Sequence, residues 1–289
     1  MTRPEIARLP ASFGVEIDID LTRMPSDAEA AELRRLMTEH GLLVFRGHTL
    51  TGDQQRLATA CFGRVSEDED GKPLQMHVSN RRESSAPIGE LIFHYDYAYD
   101  PDPIEFISLY GEEIGDGATP TLFASSTRAL DILPGELKSR ISGYTALQAC
   151  FMDRAAPTGE RAAMNADCIP RGQPGWSAKD WRNVQKLIWE NRAGVPALYA
   201  CVQHTVRIME LPIDESDALL KKLFGYIYTP ANVYTHSWQE GDLVVWDNRT
   251  VQHCRPAPND VARTLRRYEV SDEDLTKDYL AIGRTNKFV

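Results

Sequence analysis

Between residues 91 and 270 the chain is broken into many short apolar or alternating runs, and this feature constrains its fold more than any other. Residues 91–95, 104–110, 121–124, 145–151, 185–190, 197–203, 233–238, 243–246 and 264–270 each read as a strand. VEIDIDL at 15–21 alternates with period 2, and LLVFR at 42–46 is apolar enough for a buried strand. Helical patterns lie mainly in the first quarter. Residues 27–40 place Leu33, Leu36 and Met37 on one face, with Asp27 as N-cap and Gly41 as the stop. Thr51 caps a second helix through Phe62, serine caps a third at 125–133, residues 134–142 form another, and Asp214 opens one that runs to Tyr226. Regular βαβ alternation and a GxGxxG loop are both missing, which disfavours a Rossmann domain. The pattern predicts an α+β domain built on a β-sandwich or barrel. Two polar stretches, 64–88 and 153–180, read as long loops of the kind that often become lids or binding loops. Nothing between them resembles a linker, so residues 1–289 read as a single domain with a long insertion around 153–180.

Charge and cysteine content narrow the function classes. The formal net charge is −10, the wrong sign for a nucleic-acid partner. No apolar run reaches the roughly 18 residues of a membrane span. The opening MTRPEIARLPASFG has no apolar h-region, and the five cysteines are odd in number and never spaced CxxC. A cytoplasmic protein with reduced thiols and a small-molecule partner is the expectation.

Three segments carry residues suited to chemistry. His94-Tyr95-Asp96 closes the strand LIFHYD, and residues i and i+2 of a strand share a face. An imidazole and a carboxylate therefore project together, as two of the three ligands of a facial 2-His-1-carboxylate iron site do. Alone, such a triplet is a weak signal and is more often a surface His–Asp pair. His253 follows LVVW and a short turn, 159 residues beyond His94, where an ordinary core or turn histidine is the competing reading. In ARTLRRYEV, a strand would put Arg263, Leu265 and Arg267 on one face and Thr264, Arg266 and Tyr268 on the other. A guanidinium there suits a bidentate carboxylate clamp, although taken alone a basic, solvated strand edge is the more common reading.

Taken together, HYD at 94–96, TLF at 121–123, WDNRTVQH at 246–253 and RTLRR at 263–267 resemble the taurine dioxygenase family, which includes 2,4-dichlorophenoxyacetate dioxygenase. DIDL at 18–21, LLVFRG at 42–47 and Phe62-Gly63 resemble that family's N-terminal third. The resemblance implies a double-stranded β-helix (jelly-roll) core flanked by helices. It also implies an oxidoreductase that uses Fe(II), 2-oxoglutarate and O2 as cofactor and co-substrates. It makes His94, Asp96 and His253 the metal ligands, with Thr121 and Arg263 on the 2-oxoglutarate carboxylate. The ten-residue step from His253 to Arg263 is one shorter than in the best-known members, which leaves Arg266 as a competitor for that role. A carboxylate at Asp96 favours hydroxylation over halogenation.

By the same resemblance, the substrate lies beside the metal. Arg267, Tyr97, Glu90 and Arg207 are the expected substrate contacts, and they suggest a small, carboxylated organic molecule. Desaturation or oxidative rearrangement stands as an alternative outcome, as does a non-catalytic β-helix that only binds a ligand. Members of the family are commonly dimers or tetramers, so a homo-oligomer is expected.

Overall fold

The computed structural model describes residues 5–68, 70–150, 158–165, 167–171, 173–273 and 275–276. In chain order the elements are β1 (Glu5–Arg8), β2 (Val15–Asp18), α1 (Asp27–His40), β3 (Leu42–Phe45), α2 (Gly52–Ala60), β4 (Met76–Ser79), β5 (Leu91–His94), β6 (Phe106–Ile114) and β7 (Thr121–Ser125). There follow α3 (Ser126–Ile132), α4 (Gly135–Ile141), β8 (Thr145–Ala149), α5 (Thr158–Ala163), β9 (Arg182–Lys186), β10 (Ile188–Glu190), β11 (Pro196–Leu198) and β12 (Thr205–Ile208). The last elements are α6 (Ile213–Ile227), β13 (Val233–His236), β14 (Leu243–Asp247), β15 (Val251–Arg255) and β16 (Arg263–Val270).

Two sheets make the jelly-roll core. The larger runs β1-β2-β3-β14-β6-β16-β4 and the smaller β13-β7-β15-β5. Strict alternation along the strands divides the apolar residues between layers. Leu42, Val44, Val244 and Trp246 join Phe123, Trp238, Val251 and Leu265 in the cluster between the sheets. Their neighbours Leu43, Phe45, Leu243 and Val245 face outward and meet Leu33, Leu36 and Met37 of α1. This explains why LLVF and LVVW read as unbroken apolar runs: both faces of those strands are covered. Behind the smaller sheet, α3, α4 and α6 pack Leu130, Leu137, Ile141, Leu219 and Leu223 against Ala124.

The predicted helices form with small shifts at their ends. Ser26, not Asp27, is the N-cap of α1: its side chain accepts from the Glu29 N–H, and the Glu29 carboxylate accepts from the Ser26 N–H. Gly41 ends the helix in the left-handed region, φ 70°. Thr51 caps α2 and Ser125 caps α3, as expected, whereas Pro212 rather than Asp214 precedes α6. Four strands were not anticipated: β1, β4, β12 and β15. The stretch 64–88 is not wholly loop, because β4 within it pairs with β16. The stretch 153–180 lies partly outside the described residues and includes the short α5. Among the described residues no helix is long and apolar enough to cross a membrane.

Candidate active site

Strand register brings the two distant histidines together. β15 pairs antiparallel with β5, and His253 stands directly opposite His94. Side chains so placed project from the same face of a sheet, about 5 Å apart at Cβ; here the rings are 4.3 Å apart between centroids. Asp96, just beyond the end of β5, turns its carboxylate to the same point. Asp96 Oδ1 lies 3.2 Å from His94 Nε2 and 3.9 Å from His253 Nε2. Among the described residues, His94, Asp96 and His253 form a group whose ligand-capable atoms all lie within 4.8 Å of one another.

The surroundings tune these three groups. His94 Nδ1 is 2.7 Å from the Ile92 carbonyl and donates to it, which leaves Nε2 as the ring atom that faces Asp96. Burial, reinforced by the neighbouring His94, holds the His253 pKa well below its usual value and keeps that ring neutral. Burial opposes the charge on Asp96, but Arg267 and the two histidines outweigh it and hold the carboxyl well below the ordinary carboxylate range. Two imidazoles and one anionic carboxylate suit a divalent iron-type cation.

The WDNRTVQH block has a local reason for its form. Trp246 packs its ring 4.9 Å from that of His253. Asn248, in the turn between β14 and β15, accepts from the Asp96 N–H at 3.0 Å and donates to the Asp96 carbonyl at 2.9 Å. Arg249 donates to the Pro103 carbonyl, which fixes the chain just after Asp96. Directly after Asp96, Tyr97 takes φ 58°, an uncommon left-handed conformation for a tyrosine.

β16 faces this group from the other sheet. Arg263 is 2 % exposed and donates to the Thr121 hydroxyl at 2.8 Å. Trp238 Nε1 donates to the same hydroxyl at 3.0 Å. Among the described residues, no hydrogen-bond partner reaches Arg263 Nε and no carboxylate pairs with Arg263. Burial, with repulsion from Arg255, lowers its pKa to about 9, so it remains a buried, uncompensated cation at neutral pH. A carboxylate of a bound small molecule would complete it. Arg266 points the other way, to Gln55, Glu112 and the Leu50 carbonyl, and does not compete for that place. Arg267 bonds Asp96 Oδ2 at 2.6 Å and Glu269 Oε1 through its own Nε at 2.7 Å.

The other residues expected at the substrate are placed unevenly. Tyr97 and Tyr99 pack with Trp181, ring centroids 5.1–6.0 Å apart, beside Asp96. Glu90 is exposed in the loop before β5. Arg207 is held by the carbonyls of Ala162 and Met209, and none of these partners belongs to the histidine–aspartate group. Asn248, Trp238 and Glu269 were missed. Glu269 lies one pleat beyond Arg267, a signal the period-2 reading contained but did not use.

Comparison with known proteins gives a consistent result. Residues 5–268 match the family described as "Taurine catabolism dioxygenase TauD, TfdA family". Pentalenolactone F synthase of Streptomyces avermitilis is 28 % identical, over 92 % of this chain and 94 % of that protein. Alpha-ketoglutarate-dependent 2,4-dichlorophenoxyacetate dioxygenase of Cupriavidus pinatubonensis is also 28 % identical, over 90 % and 94 %. The crystal structure of AAD-2 in complex with Mn(II) and N-oxalylglycine superposes with a TM-score of 0.73 at 23 % identity, covering 93 % of this chain and 97 % of that one.

Proposed function

Because the chain belongs to the TauD, TfdA family, and is therefore an Fe(II)- and 2-oxoglutarate-dependent dioxygenase, we propose that His94, Asp96 and His253 hold its iron and that Arg263 and Thr121 hold its 2-oxoglutarate. The observation that carries this reading is the convergence of three ligand-capable side chains from two segments 159 residues apart, within 4.8 Å. Iron bound there supplies the dioxygen chemistry: one oxygen atom enters 2-oxoglutarate as it loses CO2 and becomes succinate, and the other is available to oxidise a C–H bond of the substrate.

The protein's own residues supply placement and electrostatics. His94 and His253 present ring nitrogens, and Asp96 presents one oxygen while Arg267 holds the other. Three protein ligands leave positions open for the keto acid and O2. Arg263, buried and unmatched, meets the distal carboxylate, and the Thr121 hydroxyl, itself fixed by Trp238, contacts the same group. The intersheet cluster around Phe123, Trp238 and Trp246 keeps water from this end of the site.

The substrate is a small organic molecule oxidised by hydroxylation, or by a desaturation or rearrangement that begins with the same C–H cleavage. The relatives carry names as unlike as 2,4-dichlorophenoxyacetate dioxygenase and pentalenolactone F synthase, so family membership alone selects no substrate. Family membership sets aside the non-catalytic alternative. The same reading treats the chain as one catalytic domain with an insertion around residues 153–180.

The test is Fe(II)-dependent release of succinate from 2-oxoglutarate. Wild-type protein releases it, and His94→Ala, folded by circular dichroism, loses it by at least about a hundredfold. A folded His94→Ala protein with wild-type succinate release contradicts the assignment.

A further inference from the structure

Two arginines face the site from β16, and their electrostatic situations are opposite. Arg263 has no carboxylate partner among the described residues. Arg267, 8 % exposed, sits between two carboxylates: its NH2 group lies 2.6 Å from Asp96 Oδ2 and 2.5 Å from Glu269 Oε1. Glu269 is 2 % exposed, and its second oxygen accepts from the Thr276 hydroxyl at 2.5 Å. The Thr276 hydroxyl is 2.8 Å from that of Tyr97. The bonds therefore close a ring: Asp96, Arg267, Glu269, Thr276, Tyr97, and back to Asp96 through the peptide bond. A ring of this kind fixes both the Asp96 carboxylate and the backbone turn at Tyr97.

We propose that Glu269 sets the charge specificity of this enzyme: by closing Arg267 onto Asp96 it removes that guanidinium as an anion anchor, so the end of the substrate held beside Asp96 is uncharged. The proposal rests on the dioxygenase reading above. With a divalent metal and the 1-carboxylate of the keto acid in place, their charges and those of Asp96, Arg267 and Glu269 cancel. An anionic substrate finds no residual positive charge at that end, and its desolvation is not repaid.

The adjoining wall agrees. Tyr97, Tyr99 and Trp181 stand with their rings in mutual contact. The Trp181 N–H is already given to Asp100 at 2.8 Å and the Tyr97 hydroxyl is paired with Thr276. The donors of Tyr97 and Trp181 are thus engaged, and the buried packing on this side of Asp96 is aromatic, which suits a flat, neutral neighbour. Arg207, the other guanidinium expected to bind a carboxylated substrate, is occupied by backbone carbonyls. Glu269 is a positioning residue, acting on substrate choice through Arg267.

The test uses the full chain loaded with Mn(II), which His94, Asp96 and His253 would hold, and with N-oxalylglycine, an unreactive mimic that would take the place of 2-oxoglutarate at the metal and at Arg263. Phenylacetate and phenylacetamide, alike in shape and different in charge, are titrated into it by calorimetry. The wild type binds the amide in preference to the acid. Glu269→Gln, the same shape without the charge, tightens phenylacetate by roughly tenfold and leaves the amide nearly unchanged. Glu269→Asp, which retains the charge, keeps the wild-type preference; a purely structural role would not separate the two variants in this way. An unchanged acid-to-amide ratio in Glu269→Gln, or no phenylacetate binding by it, overturns the proposal. Should that variant not fold, the wild type decides alone: phenylacetate binding tighter than phenylacetamide overturns the proposal, and its absence supports it. A wild type that takes up neither Mn(II) nor N-oxalylglycine refutes instead the dioxygenase reading.

Discussion

Arg263 and Arg267 share a residue type, a strand and a face, yet their removal has opposite consequences. Arg263 is a buried cation without an anionic partner among the described residues, its pKa depressed to about 9. A cation with a folded-state pKa below its unfolded value opposes folding at every pH below that point, and the penalty relaxes only as pH rises through about 9. Arg263→Met is therefore expected to leave the melting temperature of the ligand-free protein unchanged or to raise it. The same variant loses the stabilisation that wild type gains from 2-oxoglutarate with Mn(II), read by the same thermal scan. Arg267→Met strands Asp96 and Glu269 in the interior and costs about 3–5 kcal/mol by urea unfolding. Equal destabilisation by the two changes contradicts this account of their environments. The sequence placed both side chains on the correct face of β16 because alternation is a local property. It could not show that one is matched and the other is not, because Asp96 lies 171 residues away from Arg267.

At the scale of elements, the helices and the apolar strands were legible because their cause is local: periodicity and side-chain caps. The strands that escaped have tertiary causes. MHVS of β4 sits in a polar stretch and becomes a strand by pairing with β16. VQHCR of β15 mixes polar and apolar residues, yet it is wholly buried because it lies inside the smaller sheet, between β7 and β5. The turn joining β14 to β15 is legible as a signature, but its pattern assigns a role only to His253 beyond it. Asn248 in that turn holds both backbone polar groups of Asp96. Asn248→Ala is expected to weaken Mn(II) affinity by about 10–100-fold, measured by titration in the absence of 2-oxoglutarate. An affinity within about twofold of wild type, in a folded variant, would show that the turn does not position the carboxylate.

For the whole molecule, the arrangement is two sheets with helices on their outer faces and the chemistry between them. α1 and α2 cover the outer face of the larger sheet, and α3, α4 and α6 cover the smaller. The interior is thereby free to carry an excess of charged groups at the site itself: Asp96, Arg263, Arg267 and Glu269. Family, fold class and the identities of candidate ligands were readable from motifs in the chain. The partnership of Arg267 with Glu269 was not, since it depends on which of several inward-facing charges approach one another after folding. The most direct test of the central claim is an anaerobic titration of the protein with Fe(II) and 2-oxoglutarate, followed in the visible spectrum. The expected result is a weak metal-to-ligand charge-transfer band that saturates at one iron per chain in the wild type and is lost in folded His94→Ala and Asp96→Ala. No band in the wild type, or an undiminished band in both variants, would contradict it.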